Sequence, residues 1–274
     1  MAKMKQLKSS LTNIRHIIEH TFAARDIAEL LVSFDDTQDA EQILSFMKRV
    51  DYDVVGVKKD GHVAGYAHRD KLKNGNLADH IVMFESSDVV HELSGLADVF
   101  PRLVEPSSRV FVSRANSVWG IITRGDLQKA PVRMYLFALV SLIEMQTLRV
   151  IQEYLPDEET WCAKLPPGRV GKAQKGLKNR RQRNEGVSLA ECLEFSDKIT
   201  IVENTPEIWS RLGFESRDKA GDTFKELKHL RNDLAHGQDI LAGRWPGLFE
   251  LAREAENLLG KCEAVRNTPQ KLAQ

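Results

Sequence analysis

The sequence predicts an α/β half followed by an all-α half. Three observations carry that division. Ahead of Pro131, short β-branched runs alternate with amphipathic stretches. Beyond it, long helical periodicities dominate. The first half also contains a weak internal repeat of about 55 residues.

The repeat organises the first half. One copy reads DTQDAEQILSFMKRVDYDVVGVKKDGHVAGYAHRDKL and the other SSDVVHELSGLADVFPRLVEPSSRVFVSRANSVWGIITRGDL. Each offers a polar helix start, an amphipathic helix, a strand, a tight turn and a second strand leading into another helix. The spacing predicts helices over Ala40–Arg49 and Val89–Leu96, with strands over Val54–Val57 and Val110–Val112. The turns Lys59-Asp60-Gly61-His62 and Arg114-Ala115-Asn116-Ser117 carry residue types suited to hairpins.

In the second half, apolar periodicity predicts helices over Val132–Tyr154, Leu189–Phe195, Pro206–Leu212, Asp222–His236 and Pro246–Ala264. The longest apolar run, Met134–Ile143, stops at Glu144 and is too short to span a bilayer, so it reads as buried helix. KLPPGRVGKAQKGLKNRRQR, residues 164–183, has two prolines, three glycines and eight Lys/Arg without an acid. It reads as a mobile basic loop, either a solvated linker or a contact for RNA phosphates through Lys172, Lys175, Lys178, Arg180, Arg181 and Arg183.

Composition excludes several classes. Net charge is zero, so no global field draws the chain to nucleic acid or membrane. The cysteines, Cys162, Cys192 and Cys262, lack CxxC spacing and fit a reducing cytoplasm. The start, MAKMKQLKSSLTNIRHIIEH, has no apolar core or small-residue cleavage site, so a secretory leader is not expected.

VWGIITRGDL, residues 118–127, resembles the signature of CBS domains, modules that occur in pairs and bind adenine nucleotides in their clefts. The resemblance covers about residues 22–129. It implies a regulatory α/β pair (22–75 and 78–129) with one nucleotide site at Thr123, Arg124 and Asp126. A hydroxyl at a helix start can meet phosphate, a guanidinium its charge, and a carboxylate a ribose diol. The first copy departs from the pattern: His68 stands for the threonine, and alignment of Leu72 with Leu127 puts Lys71 in place of the carboxylate.

LKHLRNDLAHGQDI, residues 227–240, is amphipathic, with Phe224, Leu227, Leu230 and Leu234 as its apolar stripe. Arg231, Asn232 and His236 border that stripe. They supply what metal-free RNA cleavage asks for: an imidazole to move protons, a planar cation for phosphate, and an amide to orient the ring. Arg231 lies about 140° round a helix from His236, so a two-fold pairing of helices would assemble a complete site. Against this, His236 before Gly237 can simply cap a helix, and Arg231 can pair with Glu226 or a bundle partner. His229, Asp233 and His236 also share a face that could hold zinc, an arrangement disfavoured by Arg231 beside it.

The motif resembles the Arg-x4-His motif of HEPN domains, helical bundles that dimerise and often cleave RNA. That resemblance covers about residues 131–265. The expectation is therefore a CBS pair regulating a HEPN-type endoribonuclease: cytoplasmic, homodimeric, toxin or defence-like, off the membrane. Catalysis would run through Arg231, Asn232 and His236 without a catalytic metal, with adenine nucleotide as regulatory ligand and RNA as substrate. An N-terminal helix (1–21) and a disordered tail (266–274) complete the expected layout. The rival reading is a non-catalytic adenine-nucleotide sensor whose bundle only dimerises or binds a partner.

Overall fold

Two four-stranded sheets of the same design form the N-terminal half. The structure is a computed structural model describing residues 10–104, 108–240 and 245–267. It divides into two units: His16–Tyr135, and Leu136–Gln274 together with the N-terminal residues through Arg15. Helix α1 spans Ser10–Thr21; the start of the expected N-terminal helix lies outside the described residues.

The first sheet runs β2 (Ser33–Asp35), β3 (Val54–Lys59), β4 (His62–His68), β5 (Val82–Met83). The second runs β1 (Glu29–Leu30), β8 (Ser117–Ile122), β7 (Val110–Arg114), β6 (Val89–His91). Their ladders match. Val55 pairs with Ala67 and Val110 with Ile122, and each hairpin shifts register at its equivalent point, Val57/Lys58 and Val112/Ser113. The turns use positive φ at Asp60 and Gly61 in one copy, Ala115 and Asn116 in the other.

Each copy borrows a strand from the segment ahead of the other. β5 pairs with Gly65 and Tyr66, while β1 pairs with Gly120 and Ile121. This exchange explains a glycine in each second strand. A Cβ on Gly65 would lie 2.3 Å from the Val82 carbonyl oxygen, and one on Gly120 3.1 Å from that of Glu29.

Helix α2 (Ala40–Val50), capped by Asp39, buries Ala40, Ile43 and Met47 against Val55, Val57 and Ala67. Leu31, Val54, Tyr66, Phe111 and Val118 form a second cluster drawn from both copies. One element differs from expectation: Val89–Leu96 is not a helix. Val89 and Val90 enter β6 parallel to β7, and α3 (Leu96–Val99) begins only after Gly95. Adjacent β-branched residues fit a pleated surface better than a helix.

The helical unit contains α4 (Ala130–Tyr154, begun in the first unit), α5 (Glu158–Cys162), α6 (Pro167–Gln182), α7 (Phe195–Glu203), α8 (Pro206–Arg211), α9 (Arg217–Ala235) and α10 (Trp245–Asn267). The 25 residues of α4 are long and apolar enough to cross a membrane, unlike the run Met134–Ile143 alone, and 56% of its most apolar window is buried inside the chain. α7 begins where the expected helix Leu189–Phe195 was to end, since the Glu194 N–H donates to Asp197 at 3.0 Å and fixes its start there. α7 and α9 pack through Phe195 and Phe224, edge to face at 6.3 Å. α10 extends through Asn267, past the expected tail boundary, and residues 268–274 lie outside the described ones.

The basic segment is a helix, α6, rather than a mobile loop. Pro167 occupies the first turn, where no N–H is needed, and Arg180 and Arg181 sit at the negative end of the helix dipole. Ala173 is buried, with Val170 and Leu177 half-buried beside it at helical spacing. The acids that offset its charge come from outside the segment: Glu185, Glu194 and Asp197.

Candidate functional site

In the α/β unit, β8 delivers Thr123 to the start of a 3-10 turn, Arg124–Gln128. Asp126 closes a capping box on it. One carboxylate oxygen accepts from the Thr123 N–H at 2.7 Å and hydroxyl at 3.0 Å; the other meets the Lys129 ammonium at 2.8 Å. Burial works against the charge on Lys129, but Asp126 and Glu29 together hold its pKa above the ordinary value. Lys129 also donates to the Ile27 carbonyl at 2.6 Å. Asp126 is only 7% exposed, whereas Thr123 lies at the surface. Arg124 donates to the Val104 carbonyl.

Thr123, Arg124 and Asp126 are thus adjacent, and each already has internal work. Asp126 holds the turn; Arg124 grips the chain leaving the 3-10 turn Phe100–Leu103. The Thr123 hydroxyl gives its proton to Asp126, which leaves its lone pairs to accept. Lys129, missed at the sequence level, shares the carboxylate. Its position three residues after the aspartate was the available signal.

The equivalent corner of the first copy has different chemistry. His68 starts the turn Arg69–Lys71, and its Nε2 lies 2.9 Å from Arg109 Nη2. Arg109 also stacks over Tyr66 at 5.2 Å. Burial first, then the charges of Arg109 and Lys71, lower the His68 pKa, so the neutral ring accepts from the guanidinium.

In the helical unit, the Arg-x4-His stretch forms the last turn of α9. Leu227, Leu230 and Leu234 are buried, while Asn232 and His236 are exposed. The helix closes on its own backbone: the Gly237 N–H donates to the Leu234 carbonyl at 3.4 Å and that of Gln238 to Asp233 at 2.9 Å. Gly237, at φ 67°, supplies the left-handed residue this closure requires. The imidazole of His236 therefore does not cap the helix, and it has no hydrogen-bond partner among the described residues.

Arg231 is tied loosely. Its guanidinium lies 3.5 Å from Asn232 Oδ1 and 3.4 Å from Glu144 Oε2 on α4. Glu144 in turn binds the Lys198 ammonium at 2.9 Å. The bundle partner anticipated for Arg231 is thus Glu144. Its signal was an acid ending the longest apolar run. His229 is exposed and Asp233 half-buried. Among the described residues no group of three or more His, Cys, Asp or Glu is placed to hold a metal ion, so His229, Asp233 and His236 do not form one.

On α6, Lys172 pairs with Glu194, and Arg180 and Arg183 with Glu185. Lys175, Lys178 and Arg181 are exposed and without an ion-pair partner among the described residues. The six basic residues thus divide into three paired with acids and three without such a partner among the described residues.

No protein-family model matches the chain, and no curated protein is significantly similar to it. Its N-terminal part is similar to solved CBS-domain structures. The CBS domain of a bacterial CNNM/CorC family Mg2+ transporter is 16% identical, covering 47% of this chain and 86% of its own, with TM-score 0.35. The same domain in complex with ATP is 17% identical over 44% of this chain and 94% of its own, with TM-score 0.35. CBSX2 of Arabidopsis thaliana in complex with AMP is 20% identical over 41% of this chain and 98% of its own, with TM-score 0.36.

Proposed function

We propose that the chain is a metal-independent HEPN-type endoribonuclease governed by a CBS pair. The observation that carries the reading is the state of His236: exposed, unclaimed by hydrogen bonds among the described residues, and released from capping by a backbone closure. An imidazole left free on the same stretch of helix as a loosely held arginine is suited to proton transfer. In the proposed reaction the 2′-oxygen of RNA attacks the adjacent phosphorus and the bond to the 5′-oxygen breaks. The products are a 2′,3′-cyclic phosphate and a 5′-hydroxyl. His236 moves a proton, Arg231 faces phosphate charge, and Asn232, which lies against Arg231 within one chain, turns to orient the ring once the site assembles. The active form is a cytoplasmic homodimer in which two copies of α9 supply one site, with Lys175, Lys178 and Arg181 meeting RNA phosphates.

The regulatory half of the proposal rests on the duplicated, strand-exchanged sheets and the Thr123–Asp126 corner. An adenine nucleotide would meet Thr123 through phosphate and Asp126 through ribose. Only the second copy keeps both groups, so one nucleotide binds per chain. The test is incubation of total RNA with wild type, Arg231→Ala and His236→Ala, with EDTA present throughout. Cleavage by wild type alone supports the enzyme. No cleavage by any protein, with nucleotide binding intact, supports the non-catalytic sensor.

A further inference from the structure

Lys198 is a charged residue in an apolar place: its side chain is 8% exposed, on a helix that buries Phe195, Ile199 and Val202 around it. Its partner, Glu144, is 17% exposed and divides its oxygens between Lys198 at 2.9 Å and Arg231 at 3.4 Å. Arg231 is the outermost of the three, at 37%. The chain thus places cation, carboxylate and cation in a row from interior to surface, on α7, α4 and α9. The tight contact is the inner one and the long contact the outer one.

That order has a consequence. A carboxylate facing one arginine holds it firmly, because releasing the arginine strands a buried negative charge. A carboxylate already neutralised from behind does not. Lys198 satisfies Glu144 whether Arg231 is present or not, so Arg231 can leave for a stronger anion. A phosphodiester, with two oxygens for the guanidinium fork, is such an anion.

We propose that Glu144 is a displaceable restraint on Arg231, and that Lys198 is the residue that makes displacement by RNA phosphate possible. Glu144 is a positioning residue here, acting through Arg231. That the displacing anion is RNA rests on the function proposed above; the restraint itself rests only on the three side chains.

The experiment reads the two separately, in the full chain. Phenylglyoxal attacks free guanidinium groups, and mass spectrometry reports its rate at Arg231. Glu144→Gln should raise that rate roughly three- to fivefold, the factor set by a partly exposed ion pair. Lys198→Met should lower it, because Glu144 then has Arg231 alone. The double variant Glu144→Gln with Lys198→Met removes the stranded carboxylate and should restore a fast rate. It also serves if Lys198→Met by itself folds poorly. In parallel, a 2′-O-methyl RNA oligonucleotide, which cannot be cleaved, should bind more tightly to Glu144→Gln and more weakly to Lys198→Met. Equal rates across the variants, or slower reaction in Glu144→Gln, overturn the proposal whatever the oligonucleotide does. The expected order of rates without oligonucleotide binding by any protein supports the restraint, and overturns instead the RNA reading.

Discussion

At the residue scale, the same position in the two copies carries Thr123 and His68, and the exchange alters what each corner responds to. His68 must be neutral to accept from Arg109, and Arg109 comes from the other copy. Its pKa is lowered in the fold, so this contribution to stability is complete above the ordinary value of 6.5 and lost as pH falls below it, through the depressed folded value. Lys71 and Arg109 oppose the charged ring, while Asp70 and Asp53 favour it without prevailing. His68→Gln, which cannot titrate, should flatten the fall in urea midpoint between about pH 7 and pH 5. Parallel pH profiles for the two proteins would remove His68 from the account. Asp126 presents the opposite case, a buried carboxylate that stays charged against Thr123 and Lys129. Asp126→Ala removes a cap and two charge-assisted contacts, and should destabilise the α/β unit by ~2–4 kcal/mol. Asp126→Asn keeps the shape and part of the bonding. It should bind AMP at least about tenfold more weakly at modest loss of stability, measured by calorimetry beside urea unfolding.

At the element scale, the reciprocal strand exchange turns two glycines into unequal points of weakness. Adding a methyl group at Gly65 drives it into the Val82 carbonyl at 2.3 Å, whereas at Gly120 the nearest atom is 3.1 Å away. Gly65→Ala should therefore destabilise the unit by about 1–3 kcal/mol and Gly120→Ala by clearly less. Equal losses in urea unfolding would mean that β5 yields as readily as β1. Helix α6 makes a second contrast. Lys172, Arg180 and Arg183 pair with neighbouring acids, whereas Lys175, Lys178 and Arg181 face solvent without such a partner among the described residues. Replacing the solvent-facing three with glutamine should lower the salt slope of RNA binding by roughly 2, at ~0.7 per single-strand phosphate contact, with folding unchanged. A slope that stays constant would leave these residues as a solvated face.

At the scale of the whole molecule, the two units carry different proposed roles. A ligand that binds only the native α/β unit should raise the unfolding midpoint of that unit by mass action, worth ~2.7 kcal/mol at a hundredfold excess over Kd. Calorimetry with AMP should therefore move one transition and leave the other in place, unless the nucleotide signal passes between units. Pairing of two chains allows a sharper test of the proposed dimeric site. Inactive Arg231→Ala and His236→Ala proteins, mixed and allowed to exchange, should regain cleavage if a site takes Arg231 from one chain and His236 from the other. Continued inactivity of verified heterodimers would confine each site to one chain.

The sequence alone determined the duplication, the hairpin turns, the halves and the end of α9, because each depends on local signals: periodicity, turn residues, a glycine at a left-handed position. Alignment of Leu72 with Leu127 also put Lys71 at the turn position that Asp126 holds in the second copy. What it misjudged depended on partners outside the stretch being read. Residues 164–183 look like a loop when their charge is counted in isolation, and become a helix once Glu185, Glu194 and Asp197 answer that charge. Val89–Val90 join a sheet because β7 lies alongside. Only the tertiary structure set Lys198 behind Glu144 and Glu144 against Arg231, since residues on three helices meet through packing, and no spacing within one segment encodes that meeting.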